Sequence, residues 1–323
     1  MKAVAFDRHG GVEVLDYRDC PDPQPAQGEV VVRVRAPGLN YLDVFARRGM
    51  PGVSIPLPFI SGGDIAGEID TVGDGVTGWR AGERVVVNPK TKRGLIGEEV
   101  NGGLAERVAV PAENLVRLPE SVSFEDGAAI PIAFGTALRM LTTIGGLKAG
   151  ESILILGASG GVGTACVQIA KMVGARVIAA AGSAEKADKL RALGADEVID
   201  YSRDDFSRAA WDLIGRKGVN VAVNFTGGDT FNPSLRALAR HGRLLVCGAT
   251  AGFSPQIDLR YLWRRELQVL GSTGYTQQDI AAAVDMVAGG KLKPVIGRVF
   301  PLRQAAEAVK LLEDRAFFGK IVV

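Results

Sequence analysis

The sequence predicts an α/β chain with a doubly wound parallel sheet in its second half and a β-rich domain ahead of it. Two observations carry this prediction. The first is the stretch Ile153-Leu154-Ile155-Leu156-Gly157-Ala158-Ser159-Gly160-Gly161-Val162-Gly163, where four apolar residues run into a glycine-rich turn. Val162, Cys166, Ile169 and Val173 then mark one face of a helix. A continuous apolar run suits a parallel strand covered on both faces. The second observation is the alternation from residue 151 onward. Strands are predicted at 152–156, 176–181, 196–200, 219–225, 243–248 and 267–271, with helices at 162–173, 184–193, 205–215 and 230–240. Strands separated by helices at this spacing form right-handed crossovers and hence a parallel sheet.

Residues 1–124 read differently. Short β-rich runs such as Glu29–Arg35, Ile65–Ile69 and Glu83–Val87 are separated by glycine and proline clusters, which suits a compact, barrel-like β domain. A helix is predicted over 124–144, with Ala128, Ile132, Leu138 and Leu141 apolar. The tail reads as a helix over 277–288, a strand over 295–300, a helix over 303–313 and a final strand over 319–323.

Composition narrows the function classes. The chain has 323 residues, 47% of them hydrophobic, enough for two domains with sizeable cores. The net charge is +2 and no long run of like charge occurs, so neither nucleic acid nor a membrane surface is expected as a partner. The N-terminus reads as the start of a strand rather than a signal peptide, and no apolar stretch is expected to span a bilayer. Cys20, Cys166 and Cys247 are far apart in sequence and read as free thiols in a reducing, cytoplasmic setting. Cys166 and Cys247 read as core packing rather than as nucleophiles.

The glycine-rich turn has a chemical meaning. Glycines let the backbone approach a phosphate, and a new helix points free N–H groups and its positive dipole end at it. Ala158, Ser159, Gly160, Gly161 and Val162 are therefore the expected phosphate cradle of a dinucleotide, the alternative being a tight turn without a ligand. NAD-selective sites place an acidic residue at the end of the second strand. Here that strand ends Ala181-Gly182-Ser183, and Lys186 falls in the first turn of the next helix. A cation there opposes the helix dipole unless a phosphate offsets it. Ser183 and Lys186 thus point to the 2′-phosphate of NADPH, against the plainer reading of a solvated lysine. Asn224, Gly248, Ala249, Ser272 and Thr273 lie at or beyond predicted strand C-termini, where ligands bind open α/β sheets. They serve either the cofactor or only the turns.

Further motifs span the chain: Gly38-Leu39-Asn40-Tyr41-Leu42-Asp43 with Arg47-Arg48-Gly49, Pro58–Gly67, Val72-Gly73, Gly102–Glu106, the loop at 157–163, Tyr201, and Phe318-Gly319-Lys320. With these the sequence resembles the medium-chain dehydrogenase/reductase superfamily, in its zinc-independent, zeta-crystallin-like quinone oxidoreductase branch. The resemblance implies a GroES-like catalytic domain over 1–124, completed by about 266–323, and a Rossmann nucleotide-binding domain over 125–265. It also implies a homodimer acting on a small-molecule substrate. Thr136 matches a position near the nicotinamide, and Tyr201 and Lys320 are carried over as cofactor residues.

Zinc members of the superfamily bind metal at three positions that here hold Asn40, Gly63 and Ile132. The lobe that holds structural zinc in relatives is 88–97 here and has no cysteine, and His9 and His241 read as surface residues. No metal is expected. The resemblance then implies an NADPH-dependent, metal-free reductase of quinones or α,β-unsaturated carbonyls. Asn40 and Tyr41 are the catalytic candidates, as hydrogen-bond donors to a developing oxyanion. The plainer roles are a loop-capping amide and a half-buried aromatic. Tyrosines common in this branch are replaced by Phe45 and Pro51. Asp43 and Arg47 are spaced for an internal ion pair, and Asp64 is expected to serve a local hydrogen-bond network. Two alternatives stand beside this: an acrylyl-coenzyme A-type reductase using Lys90, Lys92 and Arg93 as a basic patch, and a non-catalytic NADPH-binding, crystallin-like protein.

Overall fold

The computed structural model describes residues 1–323. The chain divides into two compact units, Met1–Ile132 with Thr276–Val323, and Ala133–Tyr275.

The second unit holds a six-stranded parallel sheet. Its order is Glu197–Asp200, Arg176–Ala181, Ser152–Ile155, Val219–Val223, Leu238–Val246, Gln268–Gly271. All six predicted strands are present. Ser152–Ile155 lies centrally, and the winding reverses beside it, which is where such sheets take ligands. Ile153, Leu154, Ile155, Val221, Ala222 and Val223 are all fully buried, because both faces are covered. Helix Gly161–Val173 stops on Gly174, which sits in the left-handed region at φ 90°. The Ser183 and Asp205 side chains cap Ala184–Ala192 and Phe206–Leu213 by accepting backbone N–H groups.

Three boundaries differ from expectation. The helix expected over 230–240 is Phe231–Ala237, and its strand starts at Leu238 rather than 243. His241 at φ 61° and a register shift opposite Val219–Val221 make the start of that strand irregular, which hid it from a periodicity argument. Arg260–Arg265 forms a helix too short and too basic to show an apolar face. The expected nucleotide domain, 125–265, omits its own edge strand: Gln268–Gly271 pairs in parallel with Leu238–Val246, and the unit runs to Tyr275.

At the other boundary, 124–144 is helical but not uniformly so. Phe124–Gly127 and Gly135–Leu138 are α, whereas Ile130–Phe134 and Arg139–Ile144 are wider, π-type turns. Pro131 lies inside the first of these and withholds an N–H from the ladder. By length and composition Phe124–Ile144 could cross a bilayer, which corrects the expectation that no segment would. Of its most apolar window, 72% is buried inside the fold, so core packing accounts for its apolarity.

The first unit is built on a seven-stranded sheet. Glu29–Gly38 pairs with both Asp64–Val72 and Arg107–Pro111, and Lys320–Val322 joins beside Gly38. Val30, Val32, Ile65, Ile69, Val85 and Val110 form its inner core. Two bonds fasten the last strand to the entry of helix Tyr41–Arg48: Leu39 N donates to Ile321 O, and Val323 N donates to Pro37 O, both at 2.9 Å. The C-terminus thereby delivers Lys320 to the residue before that helix.

Candidate active site

In the catalytic unit, the Lys320 ammonium is almost sealed from solvent. It donates to Asp64 Oδ2 at 2.7 Å, Leu39 O at 2.8 Å and Asn40 Oδ1 at 2.8 Å. An ammonium has three protons, so its capacity is filled. Lys320 is therefore no free cofactor ligand, which corrects the role carried over for it. Asp64 is fully buried, and its second oxygen accepts Ile132 N at 2.8 Å. Asn40 faces the same way, since its Nδ2 donates to Asp64 Oδ2 at 2.8 Å and more weakly to Gly38 O at 3.4 Å. The Asn40 amide is spent within the network. It positions the start of the helix and is not an outward donor, contrary to the catalytic role expected of it.

Zinc does not fit these residues. The cation beside Asp64 is Lys320, Asn40 is committed, and a Cβ on Gly63 would lie 3.0 Å from Ile132 Cδ1 and 3.0 Å from Ile96 O. A tetrahedral zinc site needs thiolate, imidazole or carboxylate donors, and no three His, Cys, Asp or Glu side chains are grouped so that they could hold a metal ion.

Tyr41 is half-buried and held by its ring, edge-on to Phe45 at 5.2 Å, with the Arg315 guanidinium 5.9 Å from its centroid. Asp43 and Arg47 do not pair with each other. Asp43 accepts Asn40 N at 2.7 Å and Gly62 N at 2.8 Å, whereas Arg47 pairs with Glu313 and donates to Gly10 O. Burial pushes the Asp43 carboxyl up to about 7, against the pull of the two N–H groups and Lys320. Sequence spacing missed Glu313 and Lys320 because both partners come from the far end of the chain. In the basic patch, exposed Lys92 pairs with Glu113 and exposed Arg93 with Glu29. His9 and His241 are exposed, as expected.

In the nucleotide unit, the glycine turn has distinct jobs at distinct positions. Gly157 sits at φ 61°, and a Cβ there would strike the Phe225 ring at 2.7 Å. A Cβ on Gly163 would lie 2.4 Å from Gly157 O and 2.6 Å from Ala158 C, so this glycine sets how closely helix and turn pack. Gly160, the N-cap of Gly161–Val173, meets nothing closer than 3.7 Å. Ser159, Gly160, Gly161 and Val162 are partly exposed around it and remain open to an anion. Ala158 does not: it is fully buried and its N–H donates to Ala180 O at 3.2 Å.

The remaining expected cofactor residues divide. Ser183 Oγ accepts Lys186 N at 3.3 Å, so both lie at the start of helix Ala184–Ala192, and Lys186 is half-buried. Tyr201 is 46% exposed and lies against Gly182, where a Cβ would come within 2.9 Å of its hydroxyl. Asn224 is fully buried; its amide donates to Thr230 and Ser234 and accepts Thr226 N and Gly227 N. It shapes the 226–230 loop and has no group left for a ligand, a correction to its expected role. Gly248 and Thr273 are exposed and Ala249 is partly so, whereas Thr136 is buried. Ser272 is also buried, and its Oγ has no hydrogen-bond partner. A buried hydroxyl without a partner is the kind of group a bound polar ligand completes. The three cysteines are unpaired, and burial raises Cys247 to about 12 and Cys166 well above its ordinary range, so neither is a ready thiolate.

Comparison with known proteins agrees with this architecture. Residues 26–120 match the family described as "Alcohol dehydrogenase GroES-like domain", and residues 161–289 match "Zinc-binding dehydrogenase". The human "Quinone oxidoreductase" is 33% identical over 331 residues, covering 100% of this chain and 97% of its own length. The "Acryloyl-coenzyme A reductase" of Metallosphaera sedula is 32% identical, covering 100% of this chain and 99% of its own. A crystal structure of an "NAD-dependent alcohol dehydrogenase" superposes with a TM-score of 0.94 at 40% identity, covering 100% of this chain and 99% of that one. The chain belongs to the medium-chain dehydrogenase/reductase superfamily, in its quinone oxidoreductase branch.

Proposed function

We propose that this protein is an NADPH-dependent, metal-free reductase of quinones or α,β-unsaturated carbonyls. The observation that carries the reading is the seat of Lys320. At Asn40, one of the positions where the resemblance implies a metal ligand in zinc relatives, this chain holds a buried ammonium bound to Asp64, Asn40 and Leu39 O. An alcohol substrate needs a Lewis acid or base to shed its proton before hydride leaves. A conjugated carbonyl needs only to be oriented and given hydrogen bonds as charge reaches its oxygen. Bound reduced nicotinamide supplies the hydride. Tyr41 is the side chain at this helix entry with a hydroxyl to offer that oxygen.

An acceptor panel with purified protein tests this. NADPH-linked reduction of an enone or quinone should exceed NADP-linked oxidation of ethanol by at least about 10³-fold, the scale of a missing Lewis acid. Robust ethanol oxidation by metal-free protein, with no reduction of any conjugated acceptor, would sink the proposal. Binding of NADPH without turnover of any acceptor would favour the non-catalytic reading instead.

The preference for NADPH rests on Ser183 and Lys186 at the start of the helix after the second strand, with no carboxylate at the strand tip. Replacing Lys186 by Ala should weaken NADPH by about 1–3 kcal/mol, the scale of a charged hydrogen bond, and leave NADH nearly unchanged. Equal losses for both cofactors in a titration would remove Lys186 from phosphate recognition.

A homodimer is the matching proposal for assembly. The strand Gln268–Gly271 ends its sheet and is mostly exposed, and Trp263 and Leu259 nearby are 63% and 58% exposed. A second copy of the same edge would satisfy its backbone and cover that apolar surface. Sedimentation should give twice the chain mass for the native protein and a shift toward monomer for Trp263→Glu. A native monomer at micromolar concentration would refute the dimer.

A further inference from the structure

Glu98 is a largely buried residue whose carboxyl the fold does not use. It is 9% exposed, and no hydrogen bond or ion pair of its side chain holds it in the fold. The other buried acids of this unit are occupied: Asp43 by two backbone N–H groups, Asp64 by Lys320, Asn40 and Ile132 N, and Glu29 by Arg93 and Ala26 N. Desolvation raises the Glu98 carboxyl above the usual carboxylate range, and the one charged group acting on it, Glu99, raises it further. Its oxygens are not among the sealed polar atoms that lack a partner, so the side chain is packed along its stem and open at its tip, and an acid held in this way is placed to exchange a proton.

Its loop is fixed beside the candidate site. Ile96 N donates to Pro89 O, Gly97 N to Val100 O, Gly102 N to Ile60 O and Gly103 N to Gly62 O. Gly97 presses on the same segment, where a Cβ would fall 2.6 Å from Gly63 N and 2.7 Å from Gly62 C. Gly62 N in turn donates to Asp43, in the first turn of the helix that Tyr41 opens. These contacts tie the Glu98 loop, through Gly62 and the Asp43 carboxylate, to the Asn40–Tyr41 helix entry.

We propose that Glu98 is the acid that completes the reduction, an inference that rests on the reductase reading above. Hydride from the nicotinamide adds to the β-carbon of an enone, and the C=C electron pair moves to leave an enolate. The Glu98 O–H bond then breaks and its proton goes to the α-carbon. Water reprotonates the carboxylate, so each turnover consumes one NADPH and one proton and releases a saturated ketone and NADP⁺. Tyr41 meets the carbonyl oxygen, and the two side chains divide the work between oxygen and carbon.

The test compares wild type with Glu98→Gln and Glu98→Asp. Glu98→Gln should lower kcat for a simple enone by about 10²–10³-fold, as for loss of a general acid, with NADPH affinity and Tm nearly unchanged. Glu98→Asp should keep part of the rate. The alkaline limb of the wild-type kcat–pH profile, where the acid loses its proton, should vanish in Glu98→Gln. Infrared titration of the unliganded wild type should show, beside the raised Asp43 carboxyl, a second one above the usual range that is missing from the variant. A Glu98→Gln kcat within about threefold of wild type would overturn the role of Glu98 and leave the reductase reading standing. If that variant does not fold, Glu98→Ala with a kcat within about threefold of wild type overturns it equally. Wild type that binds NADPH but reduces no conjugated acceptor would remove the reductase reading, and this inference with it.

Discussion

Lys320→Met should destabilise the protein by about 3–5 kcal/mol, the cost of leaving a buried charge without its partner. Methionine keeps most of the aliphatic length but removes the ammonium. Asp64, fully buried, would then keep only Asn40 Nδ2 and Ile132 N. Asn40 Oδ1 and Leu39 O would each lose a donor at the residues that open helix Tyr41–Arg48. The measurement is the denaturant midpoint, with the double variant Lys320→Met/Asp64→Asn beside it. An amide in place of the carboxylate removes the stranded charge, so the double variant should recover a large part of the loss. A single variant within about 1 kcal/mol of wild type would show that water reaches Asp64 and that the ion pair does not hold this corner together. A coupling energy near zero would say the same.

The strands of the nucleotide unit were legible because burial on both faces writes itself as unbroken apolar runs, as in Ile153–Leu156. The glycine turn was legible because steric demands act within a few residues: Gly157, Gly160 and Gly163 lie in one short stretch of turn and helix start. Polar assignments failed where the partner lies far along the chain. Lys320 meets Asp64 across 256 positions, and nothing in local sequence says that three oxygens await its ammonium. The same blindness affected Arg47, whose partner Glu313 is 266 positions away, while the spacing rule offered the nearer Asp43. Asn224 failed for a different reason. Position at a strand C-terminus marks where ligands gather, but an amide there is equally able to fold its own loop, and only its four hydrogen bonds decide which. Glu98 gave no signal at all: an acidic residue followed by another reads as solvated surface until its burial is seen.

The two glycines at the helix start should separate packing from ligand approach. Gly163→Ala places a methyl 2.4 Å from Gly157 O and 2.6 Å from two Ala158 backbone atoms. None of these is the end of a flexible side chain, so turn and helix must move apart. Overpacking of this kind costs about 1–3 kcal/mol, and displacement of the helix start should weaken NADPH at least about tenfold. Gly160→Ala meets only Gly157 O at 3.7 Å, an ordinary contact, and its φ of −85° suits any residue. That variant should keep the wild-type Tm. It should still lose NADPH affinity by about tenfold or more, because the methyl stands where a pyrophosphate would approach the backbone. Thermal unfolding without cofactor, beside a binding titration, reads both effects. Should Gly160→Ala bind NADPH as wild type does, the open side of this turn is not where the phosphates sit. The free N–H groups at the start of Gly161–Val173 would then need another ligand to explain them.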